Sequence, residues 1–174
     1  MSKLCIGLFG TCGRSTWRQN LFIPKYLECE LKDGIDFFNP QVENWNPALA
    51  EIEAEHLAED SIICFPITSE TYAFGSLAEI GFSILQSLKF DDRRDLIIMI
   101  DPILDPNLMK DEDKAKESLR SRALVKQHLK KLRYNNLYLV DTLQEILDLS
   151  LLLYDNQKRI LKYQNKFNPH KKTK

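Results

Sequence analysis

The sequence is short of histidine, and the three it has, His56, His128 and His170, stand in no motif that pairs one with a nucleophile. A catalytic Cys needs a base in reach, so a nucleophilic role for Cys12 finds no support. The four cysteines, Cys5, Cys12, Cys29 and Cys64, form no C-x-x-C pair and show no Cys/His ligand spacing. That pattern speaks against a zinc ribbon or a disulfide framework, and for reduced thiols in a cytoplasmic protein. No metal or cofactor is expected. No segment approaches the ~20 apolar residues that span a bilayer. The opening M-S-K-L-C-I-G-L-F-G holds only a short apolar run and no small-residue cleavage site, so neither a membrane span nor a signal peptide is expected. Excess charge is missing too. The 24 Lys and Arg nearly balance 25 Asp and Glu, for a formal net charge of -1, which argues against general nucleic-acid binding.

What is present is an ordinary globular composition. With 174 residues, 44% hydrophobic and 28% charged, the chain can bury one continuous core. A single domain over 1–165 and a basic tail over 166–174 are expected. Charge is nevertheless segregated locally. Residues 51–60, E-I-E-A-E-H-L-A-E-D, carry acids and no Lys or Arg, whereas 158–174 carry seven Lys and Arg and no acid. The basic end reads as a solvated, frayed terminus, the alternative being contact with an anionic partner.

Short apolar runs alternate with helical patterns. L-C-I-G-L-F-G at 4–10 reads as a central strand buried on both faces. Trp17, Leu21, Phe22, Tyr26 and Leu27 then recur at helical spacing, with Pro24 kinking or dividing the segment. I-D-F-F-N-P at 35–40 is a second strand, and residues 47–59, opened by Pro47, a helix. S-I-I-C-F-P-I-T at 61–68 is a third strand, followed by a helix from Ser76 to about Lys89. D-L-I-I-M-I-D-P at 95–102, a basic helix over 113–133, a strand at 137–141 and a long Leu-rich helix from Thr142 complete the order. That last helix either buries more than one side within the monomer or forms a dimer interface. Five apolar strands alternating with helices predict an α/β fold, a flavodoxin-like three-layer α/β/α sandwich with a five-stranded parallel sheet.

Such sheets bind ligands beyond the carboxyl ends of their strands, which directs attention to three segments. G-T-C-G-R-S-T-W-R at 10–18 has glycines for a tight turn and a helix N-terminus that can receive an anion, with Arg14 and Arg18 nearby. F-F-N-P-Q-V-E-N-W at 37–45 offers Asn39 as a hydrogen-bonding group and Trp45 as a ring to stack or pack. In S-L-A-E at 76–79, Ser76 and Glu79 have capping-box spacing. A carboxylate held there is also fixed at the ligand-binding edge.

Together L-F-G-T-C-G-R-S-T-W-R, F-F-N-P-Q-V-E-N-W-N-P, E-A-E-H-L-A-E-D-S-I-I-C-F and S-L-A-E-I-G resemble, in order and spacing over residues 4–101, the nucleoside 2-deoxyribosyltransferase-like family. The resemblance implies N-glycosidic bond chemistry on a nucleoside or nucleotide, by deoxyribosyl transfer or by hydrolysis. Glu79 is then the nucleophile, and Glu53 the second carboxylate that handles the proton of the leaving base, with Glu51 and Glu55 as neighbouring registers. The loop Gly10, Cys12, Gly13 approaches the sugar or a 5′-phosphate, with Arg14 and Arg18 as phosphate partners. Asn39, Trp45, Tyr72 and Ser76 line the pocket. The family's aspartate six residues before the nucleophile falls on Ala73, and Glu70 takes its place only with a shift of the loop. A homodimer or larger homo-oligomer is implied as well. The other reading is a module that binds or senses a nucleotide or nucleotide-sugar without turnover.

Overall fold

The computed structural model describes residues 3–29, 34–44, 46–90 and 94–167. Five strands form one parallel sheet: β1 (Lys3–Leu8), β2 (Phe37–Phe38), β3 (Asp60–Ile67), β4 (Asp95–Ile100) and β5 (Leu137–Val140). Their order is β2-β1-β3-β4-β5, the flavodoxin-like arrangement, with its topological switch between β1 and β3. β3 is buried along its whole length, as a central strand covered on both faces must be.

The helices divide between two faces. A π-helical turn, Arg18–Phe22, leads into α1 (Ile23–Leu27), and α6 (Leu143–Phe167) lies on the same side. Trp17, Phe22 and Tyr26 pack there with Ile146, Leu147 and Tyr154 over Ile6, Ile62 and Ile97. On the other face, Phe9, Phe65, Leu77, Ile80, Ile84, Ile98 and Leu129 form a second core. It is covered by α3 (Phe74–Glu79), a π turn (Ile80–Ile84), α4 (Leu85–Phe90) and α5 (Glu112–Leu129), with α2 (Pro47–Glu59) beside them. Pro24 sits in the first turn of α1 behind the π turn, where its missing N–H is tolerated.

α2 is an exception to the packing of the others. Its start follows from sequence, since Asn46 accepts from the Ala48 N–H and Pro47 occupies the first turn. Yet no residue of α2 is fully buried, and Ile52 is exposed. α6 also packs unevenly. Ile146, Leu147, Ser150 and Tyr154 are buried, whereas Leu152, Ile160, Tyr163 and Phe167 face outward.

The helix after β3 begins at Phe74, two residues ahead of the expected Ser76. Ala73 turns the chain with φ 56 and ψ 29, the left-handed region that costs an L-residue roughly 1–2 kcal/mol. Ser76 is therefore inside the first turn and its hydroxyl makes no cap. The expected capping box with Glu79 does not form, and Glu79 closes α3 instead of opening it. The tail beyond Phe167 and Trp45 lie outside the described residues.

Candidate active site at the switch point

The loop after β1 is knitted around one carbonyl. Thr11 O accepts from Ser15 Oγ at 2.6 Å, Trp17 Nε1 at 3.1 Å and Arg18 Nη1 at 2.6 Å. Arg18 also donates to Leu8 O at 2.8 Å and Phe9 O at 3.0 Å, and its Nη2 reaches Cys12 Sγ at 3.4 Å. The side chain is wholly buried, and burial lowers its pKa to about 10. The expectation of Arg18 as a phosphate partner is corrected: its donors are spent on the loop's own carbonyls, because a buried guanidinium must satisfy its donors inside the protein. Arg14, at the exposed tip beside Gly13, keeps an open side chain.

Two contacts fix this loop against β3. Thr11 N donates to Pro66 O at 3.0 Å, and Thr11 Oγ1 lies 2.9 Å from Thr68 Oγ1. Gly10 has φ 92, and a Cβ there would run into the Pro66 carbonyl, so only glycine fits. Gln41, after β2, donates to Gly13 O at 2.8 Å and Ser15 O at 2.9 Å. Asn39 Oδ1 accepts from the Gln41 N–H and shapes that turn. The expected free helix N-terminus is taken as well. Glu70 Oε1 accepts from both Thr16 N and Thr16 Oγ1 at 3.1 Å, while its other oxygen accepts from Thr68 Oγ1 at 3.0 Å. An internal carboxylate thus fills the place an anion was expected to occupy.

α3 is tied to the same loop, since Ser76 Oγ donates to Gly10 O at 3.0 Å. One turn later comes Glu79, partly open to solvent, its side chain making no hydrogen bond among the described residues. Partial burial raises its carboxyl above the usual 4.5, and the charge of Glu53 on α2 adds to the rise. Both carboxylates also act on the Cys12 thiol. Its burial comes first in holding it protonated, against the opposing pull of Arg18. Glu79, Glu53 and Cys12 of the loop after β1 therefore feel one another's charge near the carboxyl edge of the sheet. A π turn directly follows Glu79, a local irregularity frequent at functional sites.

Other expected residues are placed differently. Tyr72 donates its hydroxyl to Leu108 O at 2.9 Å and stacks on Phe74, so it braces the loop after β4. Arg122 of α5 laces the same region, donating to the carbonyls of Ile67, Thr68, Thr71 and Asp101. Ala73 belongs to the apolar core. Sequence reasoning gave Glu70 no structural part and did not single out Arg122. A buried Arg in a basic helix has no periodic signal to mark it. Beyond the Thr11–Thr68–Glu70 bridge, on the α1 and α6 side, lies a cleft of about 440 Å³ lined by Thr16, Asn20, Glu70, Asp101 and Asp141 among others.

Among the described residues no helix is long and apolar enough to cross a membrane. Comparison with family models, with curated proteins and with solved structures found no match.

Proposed function

We propose that the chain carries out N-glycosidic bond chemistry on a nucleoside or nucleotide, passing a deoxyribosyl group to a second base or releasing the base to water. One observation carries the reading beyond the sequence resemblance. The charge of Glu53 on α2 acts on Glu79 on α3, and both act on Cys12 in the glycine loop after β1, at the switch point of the parallel sheet.

The chemistry needs such a pair. A Glu79 oxygen forms a bond to the anomeric carbon while the C1′–N bond breaks and its electron pair leaves with the base. Because the two charges repel, the pair in its reactive form carries a single proton, and that proton passes by way of Glu53 to the departing base while Glu79 bonds to carbon. The resulting ester is then attacked by water or by an acceptor base, whose proton returns to Glu53. A carboxylate with a raised pKa is a stronger base once ionised, and among the described residues no side-chain donor holds its lone pairs. Arg14 at the loop tip is the side chain positioned to meet a 5′-phosphate.

The test compares wild type with Glu79→Gln on deoxynucleosides and their 5′-monophosphates, measuring free base. Loss on the order of 10⁴-fold in kcat/KM is expected. Equal activity in the two proteins removes the assignment. Binding of a nucleotide by wild type without base release transfers the site to the sensing reading.

The outward residues Leu152, Ile160, Tyr163 and Phe167 share one side of α6. We read them as the self-association face of a homodimer or larger assembly. Sedimentation of wild type against Leu152→Glu/Ile160→Glu checks this, a monomeric wild type excluding it.

A further inference from the structure

Three segments far apart in sequence converge on a small cluster at the base of α2. His56, in the last turn of α2, places Nδ1 3.0 Å and 3.1 Å from the two oxygens of Asp60 at the start of β3. Cys5 of β1 reaches toward the same carboxylate, its Sγ within 4.8 Å of the His56 and Asp60 ligand atoms. The three ligand atoms are one S, one N and one O.

The backbone around the cluster is irregular in ways that serve it. The β1–β3 register shifts between Lys3 and Ile6, so Cys5 occupies a bulge, a device that re-aims a side chain. Gly7, two residues on, has no side chain where one would meet the ring of Phe9 and come within 2.9 Å of Asp60 Oδ2. Its φ is not in the left-handed region, so the glycine is there for room. The imidazole lies flat against Phe38, with ring centroids 3.7 Å apart and planes 3° apart, which fixes its orientation. Asp60 is wholly buried, Cys5 nearly so, and the His56 side chain remains 23% accessible.

We propose that Cys5, His56 and Asp60 form a metal site for a borderline-soft divalent ion of the Zn²⁺ type. Thiolate, imidazole and carboxylate are the ligand types this ion takes, at about 2.0–2.3 Å from the metal. Two ligand atoms each about 2.0 Å from one tetrahedral ion stand about 3.3 Å apart, close to the 3.0 Å and 3.1 Å of the His56–Asp60 contact, and the Cys5 Sγ, within 4.8 Å of both, would close on the same ion. With three protein ligands, a tetrahedral ion would take water in its fourth position. Binding displaces the thiol proton of Cys5 and any proton shared between His56 and Asp60, which pass to solvent.

The site has a structural purpose. α2 has no fully buried residue, so packing alone holds it weakly, and a metal would staple its last turns to β1 and β3. Glu53 lies one turn above His56. The inference does not depend on the N-glycosidic reading, because its readouts are metal binding and stability.

The test titrates the chelator-treated, reduced full-length chain with Co²⁺, following the near-ultraviolet thiolate-to-cobalt charge-transfer band, and then displaces Co²⁺ with Zn²⁺. One equivalent should saturate the band, and Zn²⁺ should raise the midpoint of thermal unfolding. Cys12→Ser/Cys29→Ser should keep both effects. His56→Gln and Cys5→Ser should weaken binding by at least about 100-fold, beyond the loss of an outer-shell partner. A band that never saturates at one equivalent, or that survives in Cys5→Ser, overturns the proposal. If a variant does not fold, wild type alone decides: no charge-transfer band, or a midpoint indifferent to Zn²⁺, overturns it equally.

Discussion

The guanidinium of Arg18 donates to the carbonyl of Leu8 at 2.8 Å, at the point where β1 hands the chain to the loop bearing Cys12. Its other donors reach Phe9, Thr11 and Cys12, so one side chain closes the whole turn. Truncation to Ala leaves several buried acceptors unpaired along with a cavity, and about 3–5 kcal/mol of stability should be lost in urea unfolding. Arg18→Lys should recover only part, because an ammonium cannot reproduce the planar fork. Arg14→Ala, at the exposed tip, should stay within about 0.5 kcal/mol of wild type. Its effect should instead be a weaker KM for 5′-monophosphates than for nucleosides.

Glu79 allows activity and stability to be separated. Its folded pKa lies above 4.5, through burial first and Glu53 second, so between 4.5 and that raised value the folded state binds more protons than the unfolded one. Stability contributed by this group is therefore present at low pH and is lost as pH rises through the folded value. Glu79→Gln carries no such charge. Its melting temperature should equal or slightly exceed that of wild type at pH 7–8, by well under 1 kcal/mol given the solvent screening of an exposed group, and the gap should close on acidification. A Gln variant clearly less stable at neutral pH than at pH 4, relative to wild type, contradicts the sign.

Glu53 supplies the other half of that coupling. Because its charge raises the Glu79 carboxyl, Glu53→Gln should let Glu79 ionise at lower pH. The acid limb of the kcat/KM profile should then move to lower pH while kcat falls about 10²–10⁴-fold, the usual range for a lost proton donor. An unmoved limb with the same loss of rate would separate Glu53 from Glu79. Glu51→Gln and Glu55→Gln, both exposed on α2, serve as controls and should leave the limb in place.

The sheet and most helices were legible in the sequence because their signals are local. Pro47 opens α2 behind the Asn46 cap, and α2 ends at Glu59 as the pattern predicts. The apolar runs match β3, β4 and β5 to within a residue or two at their ends. What was not legible depends on contacts between distant segments. Ser76 next to Glu79 has cap spacing, yet Ser76 is recruited by Gly10 O, 66 residues away. Arg18 resembles a surface arginine until the chain folds over it. Cys5, His56 and Asp60 come together only through the bulge in β1 and the parallel pairing of β1 with β3. Spacing along the chain carries no trace of that meeting.

Ala73 joins backbone strain to the question of a third carboxylate. It is held at φ 56, where Asn and Asp are enriched several-fold over other non-glycine residues, and the resemblance puts an aspartate at this position. It nevertheless belongs to the buried core that includes Phe65, Leu77 and Ile80 and is only 9% exposed. Ala73→Asp should gain from the backbone preference but bury a carboxylate with no partner in that core. The second effect is larger, several kcal/mol against about 1, so a net loss of at least about 2 kcal/mol is expected in chemical denaturation, with no gain in base release. Ala73→Gly removes the strain without adding charge. It should lie within about 1 kcal/mol of wild type, since the extra freedom of the unfolded chain offsets the relief. An Ala73→Asp protein as stable as wild type would mean that position 73 gives a carboxylate access to solvent, and the carboxylate set of the site would have to include it.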